Sequence, residues 1–263
     1  MELKNNTILI TGGATGIGFG LAEAFLREGS TVIVTGRREG KLLEARAKLP
    51  GLHVRVCDVA DAAQREDLAK WAVERFPALN VLVNNAGIQR DIDLTKGVED
   101  LLSGEDELKV DLEAPIYLSA LLLPHFLRQE RAAILNVTSG IAFVPSVKSP
   151  LYSATKAALH TFSIALRQRL KETDVRVFEV VPPMVLDTGL NAEGRAKSRA
   201  AAGGVPDEVR FAFLKPPSSA TFAAHVLAKL AEDVPEIGYG TSEAWLKAPR
   251  EELDRMFRQM NGG

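Results

Sequence analysis

The chain has 263 residues, 46% of them hydrophobic, which is enough to bury the core of one large α/β domain. Its formal net charge of −2 provides no electrostatic basis for binding nucleic acid or an anionic membrane surface. No apolar run reaches the roughly 18 residues that a membrane-spanning helix needs.

Cysteine and histidine usage narrows the chemistry further. A single cysteine, Cys57, rules out a disulfide framework within the chain and favours a reducing compartment. Because the first residues lack a signal-peptide pattern, a cytoplasmic location is expected. The histidines show none of the spacings typical of metal ligands, so no metal site is expected. All four are interpreted as structural: His53, His125, His160 and His225.

The first part of the chain reads as a strand, a glycine-rich turn and a helix. The β-rich run Thr7–Thr11 leads directly into a G-x-x-x-G-x-G turn, and an amphipathic helix follows over Phe19–Arg27. Glycines there let the backbone approach a pyrophosphate, which then faces the helix N-terminus. A turn that binds nothing is the competing interpretation, but the position between first strand and first helix favours binding. The expected cofactor contacts are Gly12, Thr15, Gly16, Ile17 and Gly18.

Two arginines follow the second predicted strand, Thr31–Thr35. A free ribose 2′-hydroxyl usually meets an acidic side chain about 20 residues beyond the glycines. Here the chain carries Arg37 and Arg38, and guanidinium groups suit a 2′-phosphate, so NADP(H) is favoured over NAD(H). The alternative is that both are solvated at the start of a helix over 40–48, where cations are mildly unfavourable.

The third predicted strand, Leu52–Cys57, ends at Asp58 and Val59, and a helix over 62–75 follows. Asp58 is expected either to cap the turn or to accept a hydrogen bond from an adenine amino group. Both roles remain open at this stage, and both residues are candidates for the cofactor site.

The fourth predicted strand, 80–83, runs into an Asn-Asn-Ala-Gly segment. Asn84 is interpreted as a structural tie between strand ends. Asn85, Ala86 and Gly87 are cofactor candidates, since a glycine lets the chain pass close to a ribose.

A long helix and a fifth strand come next. Residues 90–104 are polar and predicted to be irregular, and a helix over 105–128 carries Asp111. The apolar run Ala132–Thr138 predicts the fifth strand, which ends at Ser139. A serine at a strand end can donate a hydrogen bond to a substrate carbonyl.

Tyr152 and Lys156 are predicted to lie one turn apart on a helix that begins near Leu151. Apolar residues recur at helical spacing from 153 to 169, and side chains four residues apart share a face. A cation there favours phenolate, so the pKa of Tyr152 is expected to fall below about 10. Such a tyrosine can transfer a proton near neutral pH. A chance surface pair is the competing interpretation of this motif taken alone.

The last third of the chain holds the sixth strand, Val175–Val181, and a small, charged segment at 189–215. That segment is long for a connection within a domain, so it is predicted to be a substrate lid or a mobile loop. A helix over 219–231, a strand near 237–240 and a closing helix over 249–260 are expected after it.

Strands that alternate with helices predict an α/β, single-domain Rossmann fold over residues 1–263. We expect a doubly wound, mostly parallel sheet of about seven strands with helices on both faces. The glycine turn, Asp58, Asn85 and Ser139 all fall at carboxyl ends of strands, the edge where such sheets bind ligands.

With these motifs in order, the chain resembles the short-chain dehydrogenase/reductase family over residues 5–245. Within it, the chain is most similar to the DltE-type oxidoreductases, on segments 139–145, 152–160 and 179–183. The resemblance implies hydride transfer between a nicotinamide cofactor and the carbon of a small-molecule carbonyl or alcohol. It also implies a homodimer or homotetramer packed through helices 105–128 and 151–171.

The resemblance further assigns roles to individual residues. Tyr152 would be the general acid/base, Lys156 would lower its pKa and hold the nicotinamide ribose, and Ser139 would orient the carbonyl. Thr188 would contact the carboxamide, although it stands six positions after Pro182 where the family usually has five. Val185 is expected to be a further cofactor contact.

Asp111 stands where the family usually has a catalytic asparagine, which helps to anchor a water between the lysine and solvent. An ionised aspartate accepts hydrogen bonds but does not donate them. Its pairing with Lys156 would weaken the effect of the lysine on Tyr152. An alternative function is therefore a dinucleotide-binding sensor or scaffold with weak catalysis.

Overall fold

A computed structural model describes residues 1–185, 187–201 and 215–262. Seven strands form one parallel sheet in the order β3-β2-β1-β4-β5-β6-β7. The strands are β1 Thr7–Thr11, β2 Thr31–Gly36, β3 His53–Val56, β4 Leu79–Asn84, β5 Ala132–Val137, β6 Val175–Val181 and β7 Glu236–Gly238. The order reverses between β1 and β4, so their carboxyl ends flank the crevice where such sheets bind nucleotides. The predicted Rossmann fold is confirmed.

Helices cover both faces of this sheet. They are α1 Gly16–Arg27, α2 Glu39–Lys48, α3 Ala62–Arg75, α4 Val98–Leu102, α5 Ala114–Phe126, α6 Pro150–Arg169, α7 Ala192–Ala201, α8 Ser219–Ala231, α9 Thr241–Lys247 and α10 Arg250–Asn261. In β1, Ile8 and Ile10 pack with apolar residues of α1, α2 and α8, whereas Leu9 packs with those of α3 and α5. The alternation follows from the two-residue period of a strand and gives the sheet one core on each face.

The segment before α5 departs from the predicted continuous helix over 105–128. Residues Lys109–Glu113 form a π-helical turn that leads into α5. Pro115 has no N–H to donate to the carbonyl of Asp111, four residues earlier, so a regular α-helical bond is missing at this point. Widened turns of this kind are frequent at functional sites.

One other prediction of irregular structure is wrong. Residues 90–104 contain the 3₁₀ turn Leu94–Lys96 and the short helix α4. Within the segment predicted to be a lid or a mobile loop, Ala192–Ala201 form α7, and the role of that segment stays a prediction. The rest of that lid, 202–214, lies outside the described residues. Within the described ranges, no helix is long and apolar enough to cross a membrane.

Candidate active site

The glycine turn lies at the carboxyl end of β1 and is held in a conformation that needs glycine. Gly12 and Gly16 have φ of +64° and +55°, in the left-handed region that side chains disfavour. The N–H of Gly12 donates to the carbonyl of Thr35 at 2.8 Å. A Cβ on Gly12 would lie 2.8 Å from Cα of Ala86, so the turn packs directly against the segment after β4.

The side chain of Asn85 holds the glycine turn in place through hydrogen bonds. Its Nδ2 donates to the carbonyls of Thr11 at 2.9 Å and Gly12 at 3.2 Å, and a Cβ on Gly18 would lie 2.4 Å from the same nitrogen. Both amide N–H groups are therefore used within the protein, which leaves only the oxygen atoms of this predicted cofactor ligand for a bound molecule. Asn84 is the tie that was expected, with Nδ2 2.9 Å from Oδ1 of Asn136.

The N-terminus of α1 opens beside this turn. Thr15 precedes the helix in an extended conformation without a side-chain cap, and the first turn carries no acidic residue. Its first backbone N–H groups therefore remain available for an anion. A Cβ on Gly16 would lie 3.1 Å from the side chain of Thr188, so Thr188 reaches the turn despite its shifted spacing. Its hydroxyl donates to the carbonyl of the buried Val185 at 3.1 Å, and Ile17 packs against the core.

The predicted 2′-phosphate site is already engaged in an ion pair. Nη2 of Arg37 lies 2.6 Å from Oε1 of Glu105, and both side chains are about half exposed, at 44% and 46%. Arg38 precedes α2 in an extended conformation and is exposed. The guanidinium of Arg37 is thus already paired with the carboxylate of Glu105.

At the end of β3, Asp58 caps the turn. Its Oδ1 accepts from the N–H of Ala60 at 3.0 Å, and its own N–H donates to Oε1 of Gln64 at 2.8 Å. The carbonyl of the buried Val59 accepts from Nη1 of Arg65 at 2.7 Å. The turn cap, one of the two roles left open by the sequence, is therefore present, and the contact with adenine stays a prediction.

Ser139, Tyr152 and Lys156 meet at the carboxyl end of β5. Ser139 follows the strand and caps a short 3₁₀ turn, with Oγ accepting from the N–H of Ile141 at 3.4 Å. Tyr152 and Lys156 lie one turn apart on α6 and are only 4% and 3% exposed. Nζ of Lys156 lies 5.4 Å from the Tyr152 ring centroid, and Ser139 is close enough to Tyr152 to influence the pKa of its phenol.

Lys156 is paired with Asp111, as the sequence had indicated. Nζ lies 3.0 Å from Oδ1 of Asp111 and donates to the carbonyl of Val137 at 3.1 Å. Asp111 is fully buried, and Oδ2 accepts from the N–H of Ile88 at 3.2 Å. Burial raises the pKa of Asp111, while the charge of Lys156 opposes that rise. A Cβ on Gly87 would lie 2.8 Å from Oδ1 and 3.5 Å from Nζ, so Gly87 borders the pair.

The expected lowering of the Tyr152 pKa is wrong for this arrangement. Burial raises the pKa of Tyr152 well above its ordinary value of 10, and the negative charge of Asp111 adds to the rise. Ser139 acts in the opposite direction, but its effect is smaller. Tyr152 is therefore a neutral phenol near neutral pH.

A second buried carboxylate, Glu107, escaped the sequence interpretation. Its Oε1 accepts from the N–H of Arg90 at 2.8 Å, and its Oε2 lies 3.5 Å from Nη2 of the same arginine. Burial raises the pKa of Glu107, and the charge of Asp111 contributes to that rise. The available signal was its place four residues before Asp111, one helical turn away.

The sheet order and the glycine turn are those of a dinucleotide-binding fold. The family model for short chain dehydrogenases matches residues 6–199. The chain therefore belongs to the short-chain dehydrogenase/reductase family and is an NAD(P)-dependent enzyme.

Relatives in sequence support the narrower likeness. The chain is 47% identical over 261 residues to an uncharacterized oxidoreductase, DltE, of Bacillus subtilis (strain 168), covering 99% of this chain and 98% of that protein. An uncharacterized oxidoreductase of Staphylococcus saprophyticus is 32% identical over 198 residues, covering 73% and 83% of the two chains. The chain is thus DltE-like.

Two solved structures share the fold. A variant of actinorhodin polyketide ketoreductase, solved with NADPH, has a TM-score of 0.81 at 24% identity, over 94% of this chain and 99% of that one. A short-chain dehydrogenase/reductase from Burkholderia phymatum, solved with NAD, has a TM-score of 0.79 at 20% identity, over 100% and 98%. At these identities the likeness is one of fold.

Proposed function

We propose that this enzyme transfers a hydride between NADP(H) and a small-molecule carbonyl or alcohol, with Tyr152 as general acid/base. The observation that carries the proposal is the assembly of Ser139, Tyr152 and Lys156 at the sheet edge that also holds the glycine turn. The test is loss of NADPH absorbance with a panel of aldehydes and ketones. Turnover above background supports the proposal, and its absence across the panel contradicts it.

The side chains divide the work around a substrate oxygen. Ser139 donates a hydrogen bond to the carbonyl oxygen, and the neutral phenol of Tyr152 delivers the proton in the reduction direction. The bound dinucleotide would supply or accept the hydride at C4 of its nicotinamide ring. Lys156 holds a positive charge below the phenol and would bind ribose hydroxyls, which requires that it share its donors with Asp111.

The crevice fits a dinucleotide at several points. The left-handed glycines let the turn pack closely against Ala86 and Thr188, where a Cβ would not fit, and the uncapped N-terminus of α1 offers N–H donors. Thr188 lies over Gly16, as expected of a residue that closes on the cofactor. We propose that α7 is the described part of a substrate lid, since it begins four residues after Thr188, at Ala192.

We expect Arg37 to select NADP(H) through the 2′-phosphate. Arg37→Ala should raise KM for NADPH about tenfold, because a charge-assisted hydrogen bond is worth about 1.5–3 kcal/mol. KM for NADH should change little, and Glu105→Gln should lower KM for NADPH, because it frees the guanidinium. Steady-state kinetics with both cofactors measure these effects. Arg46→Ala, at the far end of α2, is the control, and equal NADPH affinity in the Arg37 variant would contradict the assignment.

A dinucleotide-binding sensor with weak catalysis is the second candidate. The direct pairing of Lys156 with the buried Asp111 favours the sensor. The carboxylate offsets the positive charge of Lys156, which would otherwise lower the pKa of Tyr152. Calorimetric binding of NADPH without turnover on any carbonyl would support the sensor. Turnover near the usual enzyme rate of about 10 s⁻¹ would remove it.

We further propose a cytoplasmic homodimer or homotetramer packed through the segment 109–126 and α6. These helices expose Tyr117, Leu121 and Ile164 by 54%, 38% and 45%. Light scattering should give a mass of two or four chains, and Ile164→Glu should reduce it. Leu43→Glu places the same charge on a comparably exposed residue of α2 and should leave the mass unchanged. A monomeric wild-type protein would contradict the assembly.

A further inference from the structure

Glu179 is a fully buried carboxylate on β6 that the proposed chemistry does not use. Its Oε1 accepts from the hydroxyl of Thr138 at 2.6 Å, and its Oε2 lies 2.7 Å from Nδ1 of His160. Removing a carboxylate from water is costly unless it is hydrogen-bonded and paired. Both oxygens of Glu179 meet that requirement. The partner of Oε1 follows β5, and the partner of Oε2 lies on α6.

The two partners lead to the catalytic cluster from opposite sides. Thr138 is buried and directly precedes Ser139, and its N–H donates to the carbonyl of Val180 at 2.9 Å. His160 lies on α6 one turn beyond Lys156 and two beyond Tyr152, on the same helical face. Glu179 therefore links the strand end that carries Ser139 to the helix that carries Tyr152.

The imidazole is also packed on the turn after Ser139. Its ring centroid lies 4.8 Å from that of Phe143 in an edge-to-face contact, and Phe143 closes the 3₁₀ turn with its N–H on the carbonyl of Gly140 at 3.0 Å. His160 thus contacts both the strand end, through Glu179, and the turn. The earlier interpretation of this histidine as structural leaves the convergence of these contacts on Ser139 unexplained.

We propose that Glu179 and His160 are positioning residues, which hold Ser139 in register with Tyr152 through Thr138 and do so most firmly when His160 is protonated. The inference rests on the proposed function, because it assigns these residues to the same reaction. A displacement of about 1 Å at such a site can lower the rate about a hundredfold, so loss of this link should have a measurable effect on kcat.

The charges around His160 give the direction of the pH dependence. The hydrogen bond with Glu179 raises the pKa of His160 above its ordinary value of 6.5, burial opposes that rise, and Glu236 of β7 adds to it while Arg167 of α6 acts against it. A raised folded-state pKa means that the stabilising charge is fully present below the unfolded value and is lost as pH rises through the folded value. The link should therefore loosen above the pKa of His160.

The first test compares His160→Gln with His225→Gln across pH. Glutamine keeps a donor for Glu179 but carries no charge. His225 is a matched control, since it is also half-buried, hydrogen-bonded through its ring and packed 5.0 Å from an aromatic ring, that of Tyr239. We expect the wild-type kcat to fall as pH rises through the pKa of His160. The His160 variant should lack this inflection. At pH values below the pKa of His160, its kcat should be about tenfold lower than that of the wild type, and its KM for NADPH should be unchanged.

Two results would overturn the proposal. One is a His160→Gln enzyme that keeps the wild-type pH profile, and the other is an equal loss in both histidine variants at every pH. In either case the contacts of His160 would serve only stability.

The second test does not depend on turnover. The backbone amide signal of Ser139 should shift with the titration of His160 in wild type and in Thr138→Ser, which keeps the hydroxyl. It should not follow that titration in Thr138→Val, which breaks the link. An unlinked Ser139 signal in wild type would overturn the proposal. A linked signal in a protein without turnover would support the link and refute only the proposed function.

Discussion

Replacing Tyr152 by phenylalanine should lower kcat about a thousandfold, because general acid/base catalysis contributes about 10²–10⁴ in rate. The phenol is buried beside Ser139, so deletion of one oxygen removes the proton donor without opening the site. NADPH affinity should change little, since the ring and Lys156 remain. Stopped-flow hydride transfer and calorimetric NADPH binding measure the two quantities separately.

Tyr239→Phe is the matched control for this experiment. Tyr239 is half-buried and packs edge-to-face on Phe222. Its loss should leave kcat within about twofold of wild type, as for a substitution outside the machinery. Retained turnover in Tyr152→Phe would contradict the role given to Tyr152 and return attention to the sensor.

Replacing Asp111 by asparagine should raise the turnover of the enzyme. The negative charge of Asp111 contributes to the high pKa of Tyr152, so its removal lowers that pKa toward the working pH. Asparagine still offers Lys156 an oxygen acceptor in place of the one at 3.0 Å. We expect kcat to increase about tenfold near neutral pH, which corresponds to about 1.4 kcal/mol.

The direction of the change in the Tyr152 pKa is best checked with the enzyme running in the alcohol-oxidation direction. There Tyr152 must accept a proton, so the rate rises with pH toward the pKa of the phenol. In Asp111→Asn that rise should occur at lower pH than in wild type. Asp106→Asn, an exposed acid on the same segment, should leave the profile unchanged. An unshifted profile with reduced kcat would mean that the carboxylate is itself part of the proton path.

Local rules were sufficient for the elements whose signals lie within a few residues. The helix over 62–75 was placed correctly, and Asp61 caps it by accepting from the N–H of Gln64. The strand 175–181 and the helix 219–231 were also placed correctly, the helix with Ser218 as its cap. In each case the chain carries its own start signal or an uninterrupted apolar run.

The failures have tertiary causes. Pro115 lies in the interior of the helix predicted over 105–128, and only the structure shows that the helix is interrupted by a π-helical turn around Asp111. The pairing of Lys156 with Asp111 followed from the family resemblance, but the direction of the Tyr152 pKa shift did not, because burial is a property of the packed site. For the same reason the burial of Glu107 and the hydrogen bonds of Asn85 could not be predicted, although the spacing of Glu107 from Asp111 was a signal that the sequence offered.

The strand order also bears on how the chain assembles during synthesis. β2 and β3 add successively to one side of β1, and β4, β5, β6 and β7 then add one after another to the other side. No strand has to insert between two that are already paired, so the sheet grows only at its margins. A nascent chain that folds from its N-terminus on the ribosome therefore first forms the part of the sheet that carries the glycine turn, β1 to β3. The part that carries Ser139, Tyr152 and Lys156 is complete only when β6 has been synthesised.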